Sequence, residues 1–297
     1  MTRALLGFGP LDWLLSGAVQ VLRGMPFDWA RYMPEALLAT LLLAPVCGMV
    51  GVFVVNYRLA FFSDAISHSA FSGVAAGLVL VSAGLAWVDP RWTLLALGLI
   101  VGLLVTTVKR RTDLGTDTII GVAFSAAVAL GIALVTANRE VQRAFPQYLY
   151  GDVLLVDLPS LRVAFIVGVA LSLYLLWSFN RLTLIGFNAD LARTRGTRVA
   201  IYDYSFAVLL VLLVTTAIPL TGMLLVTALL VVPAAAARNL SRSCAAMFWV
   251  AAGIGLVSGV GGLILAYEQN TAAGAAIILL ATAIFALSLI PRALRRG

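Results

Sequence analysis

Long apolar segments with few charged residues follow one another along almost the whole chain, and they set its fold class. Hydropathy gives nine of them, at 35–55, 61–83, 91–108, 118–137, 161–179, 201–218, 220–236, 245–266 and 273–290. A helix of about 20 apolar residues spans the hydrocarbon core of a bilayer. Only the sequence around Pro219 separates the sixth and seventh segments, which therefore form a tight pair or one broken helix. The sequence predicts an all-α polytopic membrane protein with eight or nine transmembrane helices.

Composition excludes the other broad classes. Hydrophobic residues make up 62% and charged residues 11% of the 297 positions, whereas a soluble domain has about 25% charged residues. The segments are continuously apolar and lack the alternation of a membrane β-barrel strand. Before them, Leu11 to Arg23 is predicted to form a short amphipathic helix at the membrane interface. The predicted division is an N-terminal segment, 1–34, and a transmembrane domain, 35–297.

The basic residues indicate the orientation in the membrane. Thirteen of the 20 lysines and arginines fall on one side, near Arg58, in the loops at 109–116, 180–200 and 238–243, and in the C-terminal tail. The positive-inside rule places that side, and with nine spans the C-terminus, in the cytoplasm. Topology and contact with anionic membrane lipid thus account for the net charge of +7, and no nucleic acid partner is predicted.

An aspartate and the only histidine of the chain lie one helical turn apart in the second segment. Asp64 and His68 share one helix face in the run Asp64-Ala-Ile-Ser-His68. An aspartate in the middle of a membrane costs about 2.5–3.5 kcal/mol, so intramembrane ionisable residues are functional by default. A carboxylate with an imidazole suits divalent zinc, manganese or ferrous iron alike. Two ligands are too few for a stable site, and the same face of a second subunit would add two more.

Hydroxyl groups near this pair are further candidates. Ser67 and Ser69 flank His68 and can act as weak oxygen ligands or orient the pair, while Thr227 can line a path in the seventh segment. The alternative for Asp64 and His68 is an intramembrane hydrogen bond or ion pair with only a packing role.

ATP hydrolysis is not encoded in this chain. A phosphate-binding loop requires a Gly-Lys pair, and the single lysine, Lys109, is not preceded by glycine. If ATP drives the protein, another subunit hydrolyses it.

The loop between the fifth and sixth segments, 187–196, is the candidate contact for such a subunit. It begins at Phe187, and a short helix through Asp190, Leu191 and Ala192 is predicted to stop at Gly196. Lying parallel to the membrane, this helix can dock into a partner's groove. The alternative is a solvated basic loop.

Four motifs, in order along nearly the whole chain, resemble the permease subunits of manganese/zinc/iron ABC importers. They are Asp64-Ala-Ile-Ser-His68, Asp117-Thr-Ile-Ile-Gly121 with Phe124-Ser125, Leu149-Tyr-Gly-Asp-Val-Leu-Leu155, and the segment from Thr221 to Ala236. The chain departs from the family pattern after the histidine, with Phe71-Ser72-Gly73 in place of Leu-Pro-Gly, and at Ala189-Asp190, where the family often has two glutamates.

The resemblance implies a concrete assembly. The chain would be a transport subunit and not an enzyme, a multi-pass protein of the bacterial inner membrane that pairs with an identical or paralogous permease. Two cytoplasmic ATPase subunits would bind the inner loops, with 187–196 as the coupling segment, and an extracytoplasmic metal-binding protein would deliver the metal. Asp64 and His68 would contact the transported ion, and no permanently bound cofactor is expected.

Other functions make different predictions. An ABC permease for a metal chelate or vitamin B12 has no clear use for the Asp64–His68 pair, and free metal would not compete with the chelate. A proton- or sodium-coupled carrier would transport without any ATPase, and a membrane scaffold would tolerate loss of both residues. If His68 binds metal, protons compete for its imidazole, so transport weakens below about pH 6.

Overall fold

The computed structural model describes residues 10–24, 33–85, 87–144 and 158–294, and helices are the regular secondary structure of these ranges. The helices are α1 (Pro10–Arg23), α2 (Pro34–Asn56), α3 (Ala60–Ser82), α4 (Pro90–Arg111), α5 (Thr116–Ala137), α6 (Arg139–Ala144), α7 (Leu158–Phe187), α8 (Ala189–Thr194), α9 (Val199–Thr221), α10 (Met223–Leu240), α11 (Cys244–Gln269) and α12 (Ala273–Leu294). The predicted all-α polytopic class is confirmed. The predicted helix at 11–23 exists as α1, while its location at the membrane interface stays a prediction.

Eight of the described helices are long and apolar enough to span a membrane, and α10 is a shorter apolar helix that follows α9 directly. The break between α9 and α10 lies at Gly222 and not at Pro219, where the sequence placed it. Pro219 is accommodated in the last turn of α9, whereas Gly222 has a φ of 81°, a left-handed conformation that glycine adopts without steric cost. The sixth and seventh segments are therefore two helices.

Contacts at the helix ends show that the basic loops lie on one side of the bundle, called the basic side below. Arg110, at the end of α4, pairs with Asp203, at the start of α9, across 2.6 Å. Asn239, at the end of α10, donates a hydrogen bond of 2.9 Å to Ser288, near the end of α12. Since α9 begins and α10 ends on this side, the two helices form an antiparallel helical hairpin.

The turn after α2 belongs to the same side. The hydroxyl of Tyr57 donates a hydrogen bond of 2.9 Å to the backbone oxygen of Leu182 in α7. Burial, and then the negative charge of Asp203, raises the pKa of Tyr57. The hydroxyl therefore stays protonated and keeps its donor role.

Helix α7 extends further than the hydropathy indicates. Hydropathy predicts an apolar segment at 161–179 and a loop from 180, whereas the helix continues to Phe187. The charge at Arg181 does not end it, because its guanidinium lies over the rings of Trp177 and Tyr202 at the edge of the bundle.

Helix α2 lies at the centre of the bundle, packed against α7, α10 and α11. A Cβ atom at Gly51 would overlap the backbone oxygen of Leu230 in α10, and one at Gly255 of α11 would lie 2.5 Å from the oxygen of Ala44. Small residues permit this close approach. The resulting van der Waals packing holds the helices together in lipid, where the hydrophobic effect does not drive their association. Helix α3 packs between α4 and α5 beside this centre, and it carries the Asp64–His68 pair.

Candidate functional site

The two ionisable residues lie in the first half of α3, near the basic side. The helix begins at Ala60, so His68 is about 12 Å along its axis at 1.5 Å per residue. The side chains of Asp64 and His68 are 40% and 31% exposed, while most of their neighbours in the helix are buried. The pair therefore faces outwards from the bundle of a single chain.

The distance between the pair suits a shared cation better than a direct bond. Oδ1 of Asp64 is 4.0 Å from Nε2 of His68, too far for a hydrogen bond. An ion held at about 2.1 Å by each atom can bridge up to about 4.2 Å. A metal ion between the two side chains is thus geometrically accessible with little movement.

Phe124 of α5 fixes the orientation of the imidazole. Its ring meets the His68 ring edge to face, with centroids 4.7 Å apart and an interplanar angle of 74°. This contact was not predicted, although Phe124 belongs to one of the motifs noted in the sequence. The sequence shows an aromatic residue at this position, but the periodicity of one helix does not show which other helix packs against it.

The two serines predicted near the site point into the protein. Ser67 donates a hydrogen bond of 3.0 Å to the backbone oxygen of Ser63, and Ser69 one of 2.7 Å to that of Ile66. Both residues are buried, so their hydroxyls satisfy the backbone of their own helix. Their role as ligands or orienting groups stays a prediction.

Thr227 lies on α10, which packs against α3, and its hydroxyl is 3.5 Å from the backbone oxygen of Met223. Within the described residues, no group of three or more histidine, cysteine, aspartate or glutamate side chains could hold a metal ion. One copy of α3 thus contributes two candidate ligands.

The predicted short helix in the loop 187–196 is present as α8. Asn188 caps it, accepting hydrogen bonds of 2.9 and 3.0 Å from the backbone nitrogens of Asp190 and Leu191. Asp190 also pairs with Arg193 across 2.8 Å. Gly196, with a φ of 75°, follows the end of the helix and turns the chain towards α9.

Of the apolar residues in and beside α8, one is buried against the bundle and two are exposed. Ala192 is fully buried and anchors the helix to the bundle. Phe187 is 85% exposed, and Leu191 is also exposed. Exposed apolar groups on a capped helix at the basic side form a surface suited to a protein partner.

Comparison with known proteins gives a consistent set of relatives. The model of the ABC 3 transport family matches residues 30–292. The manganese import system permease protein ScaB of Streptococcus gordonii is 31% identical over 258 residues, 87% of this chain and 90% of ScaB. The high-affinity zinc uptake system membrane protein ZnuB of Haemophilus influenzae is 31% identical over 258 residues, 86% of this chain and 96% of ZnuB.

Two solved structures share the fold. PsaBC from Streptococcus pneumoniae, in complex with Fab, has a TM-score of 0.74 and 29% identity, covering 94% of this chain and 95% of that one. An inward-facing conformation of a putative metal-chelate type ABC transporter has a TM-score of 0.71 and 16% identity, covering 94% and 97%. At that lower identity the likeness concerns the fold alone.

Proposed function

The chain belongs to the ABC 3 transport family, and from that premise we propose that it is the permease subunit of an ATP-driven importer for a divalent transition metal ion. The transported ion is manganese, zinc or iron, the ions that an aspartate and a histidine bind in common. The outward-facing Asp64–His68 pair on α3 carries the proposal. The manganese and zinc permeases among the relatives support the same substrate class.

Two copies of the pair complete the metal site. One chain offers one oxygen and one nitrogen ligand, whereas zinc takes four ligands in most protein sites. A two-fold arrangement of identical or paralogous permeases brings a second pair to the same axis. The ion binds transiently, because a site that holds it too tightly would block transport.

The exposed faces of α3 and α5 are the proposed contact between the two permeases. Asp64 and His68 in a single chain would face lipid, which is costly for ionisable groups. Next to them, α5 exposes the small residues Gly121, Ser125 and Ala129, spaced one turn apart. Such spacing lets two membrane helices approach closely.

The basic side of the bundle is the cytoplasmic side in this proposal, which places the C-terminus in the cytoplasm of a bacterial inner-membrane protein. Cytoplasmic ATPase subunits then dock on α8, through the exposed side chains of Phe187 and Leu191. An extracytoplasmic metal-binding protein delivers the ion from the opposite side. Coupling follows because α8 is joined directly to the spanning helices α7 and α9.

Elemental analysis of cells that express the complete transporter under metal limitation tests this function. Wild type is expected to accumulate one of manganese, zinc or iron, and His68→Ala and Asp64→Asn are expected to lose that accumulation at matched membrane levels. Val257→Ala, on an exposed face of α11, serves as the control. Equal accumulation in wild type and both variants would show that the pair is structural and that the path lies elsewhere.

A further inference from the structure

A cleft of about 550 Å³ opens on the basic side between the end of α7 and the residues that follow α8. Asn180, Arg181, Thr183, Leu184 and Phe187 line one wall, and Arg195 and Thr197 line the other. No carboxylate lies among the described residues that line it. The cleft thus combines two arginines, the amide of Asn180 and the hydroxyl of Thr197 with the apolar side chains of Leu184 and Phe187.

Both arginines of the cleft lack an ion pair within the described part of the chain, unlike Arg110 and Arg193 on the same side of the bundle. Arg110 pairs with Asp203, and Arg193 pairs with Asp190. Arg181 instead donates a hydrogen bond to the hydroxyl of Tyr202. The positive charge that faces the cleft is therefore not neutralised by any carboxylate of the described residues.

The apolar face of α7 leads directly into this cleft. It exposes Ile166, Leu173, Leu176 and Trp177 in succession, and Trp177 is 73% exposed. The distance along the axis from Ile166 to Trp177 is about 16 Å, close to half of a hydrocarbon core of about 30 Å. Tryptophan is enriched at the interface between the hydrocarbon and the headgroups. The cleft therefore lies at headgroup depth, at the end of a surface that acyl chains cover.

We propose that the cleft binds an anionic phospholipid of the cytoplasmic leaflet, with its phosphate between Arg181 and Arg195 and its acyl chains along α7. Guanidinium groups bind phosphate oxygens in paired, charge-assisted hydrogen bonds. The net negative charge of an anionic lipid is attracted by both arginines. In a zwitterionic lipid, the positive amine offsets the attraction between the phosphate and the second arginine. The assignment to the cytoplasmic leaflet rests on the orientation proposed above.

The bound lipid has a mechanical consequence for the coupling segment. Arg181 belongs to the spanning helix α7, and Arg195 follows the last residue of α8. A phosphate held by both connects the two walls across the segment 187–194. Lipid occupancy thus stabilises the position of α8 against α7, and ATP hydrolysis by the assembled transporter depends on anionic lipid.

The test uses the complete transporter, permease with its ATPase, in nanodiscs of phosphatidylcholine with increasing phosphatidylglycerol. Phosphatidylglycerol that stays bound is counted by native mass spectrometry, and the ATPase rate is recorded in parallel. Arg195→Gln is expected to raise the phosphatidylglycerol fraction needed for half-maximal retention about fivefold, and Arg181→Gln with Arg195→Gln more. Arg111→Gln, an exposed arginine at the end of α4, is the matched control.

Unchanged retention in Arg195→Gln and in the double variant would overturn the proposal. Arg195→Gln alone is informative if the double variant fails to fold, because no side-chain hydrogen bond or ion pair within the described residues depends on Arg195. If these variants lose the ATPase subunit but retain phosphatidylglycerol as wild type does, the cleft is a contact for the protein partner instead. Lipid retention does not require metal transport, so failure of the metal proposal appears separately in the variants of His68.

Discussion

The imidazole of His68 packs edge to face against Phe124, with ring centroids 4.7 Å apart, and it thereby couples α3 to α5 at the candidate metal site. Removing the ring with Phe124→Ala is expected to weaken metal uptake, because the imidazole loses its fixed orientation. Since such aromatic pairs contribute about 0.5–1.5 kcal/mol, the metal concentration for half-maximal uptake should rise about two- to tenfold. Radioisotope uptake over a series of metal concentrations measures the change, with Phe285→Ala of α12, a helix that packs against α10 and α11, as the control.

The membrane helices were predictable because apolar length is a direct consequence of bilayer thickness. Segment 61–83 became α3, Ala60–Ser82, and segment 118–137 became α5, Thr116–Ala137. Errors occurred where local chemistry competes with hydropathy. Pro219 is tolerated in the last turn of α9 and Gly222 makes the break. Arg181 remains helical because its guanidinium lies over the rings of Trp177 and Tyr202.

The candidate site was only partly predictable. A four-residue spacing places Asp64 and His68 on one face, which holds for any helix. Their outward position, and the contact of His68 with Phe124, depend on how α3 and α5 pack. The burial of Ser67 and Ser69 has the same origin. Periodicity within one helix does not contain this information, because every face of a membrane helix is largely apolar.

Gly51 is expected to tolerate no side chain, because α2 and α10 meet there in backbone contact. A leucine at this position must push the helices apart, and overpacking of this kind costs about 1–3 kcal/mol. Gly51→Leu should therefore lower the thermal midpoint of the detergent-solubilised protein and its level in the membrane. Gly253 of α11 is the matched control, since a Cβ there meets nothing within 4 Å. Equal stability of Gly51→Leu and Gly253→Leu would contradict the close contact.

Gly121 tests the proposed contact between two permeases. A Cβ at this position also meets nothing within 4 Å in a single chain, so the fold of the monomer should accept a large residue. Gly121→Trp is nevertheless expected to reduce the dimer, because it separates the small faces of α5 in the two copies. Gly253→Trp again serves as the control. Mass photometry of the permease in lipid nanodiscs measures the dimer fraction, and an unchanged fraction would exclude this face of α5 as the interface.

Phe187 is expected to be an anchor for the ATPase subunit. Its side chain is 85% exposed beside α8, while the helix itself is held by its cap and by buried Ala192. Phe187→Ser should therefore reduce co-purification of the ATPase and metal-dependent ATP hydrolysis without lowering the level of the permease, since aromatic anchors dominate many protein interfaces. Leu114→Ser changes another exposed apolar residue on the basic side and is the control. If both variants retain the ATPase equally well, the docking surface does not include Phe187, and the coupling function of the segment 187–196 would have to depend on α8 alone.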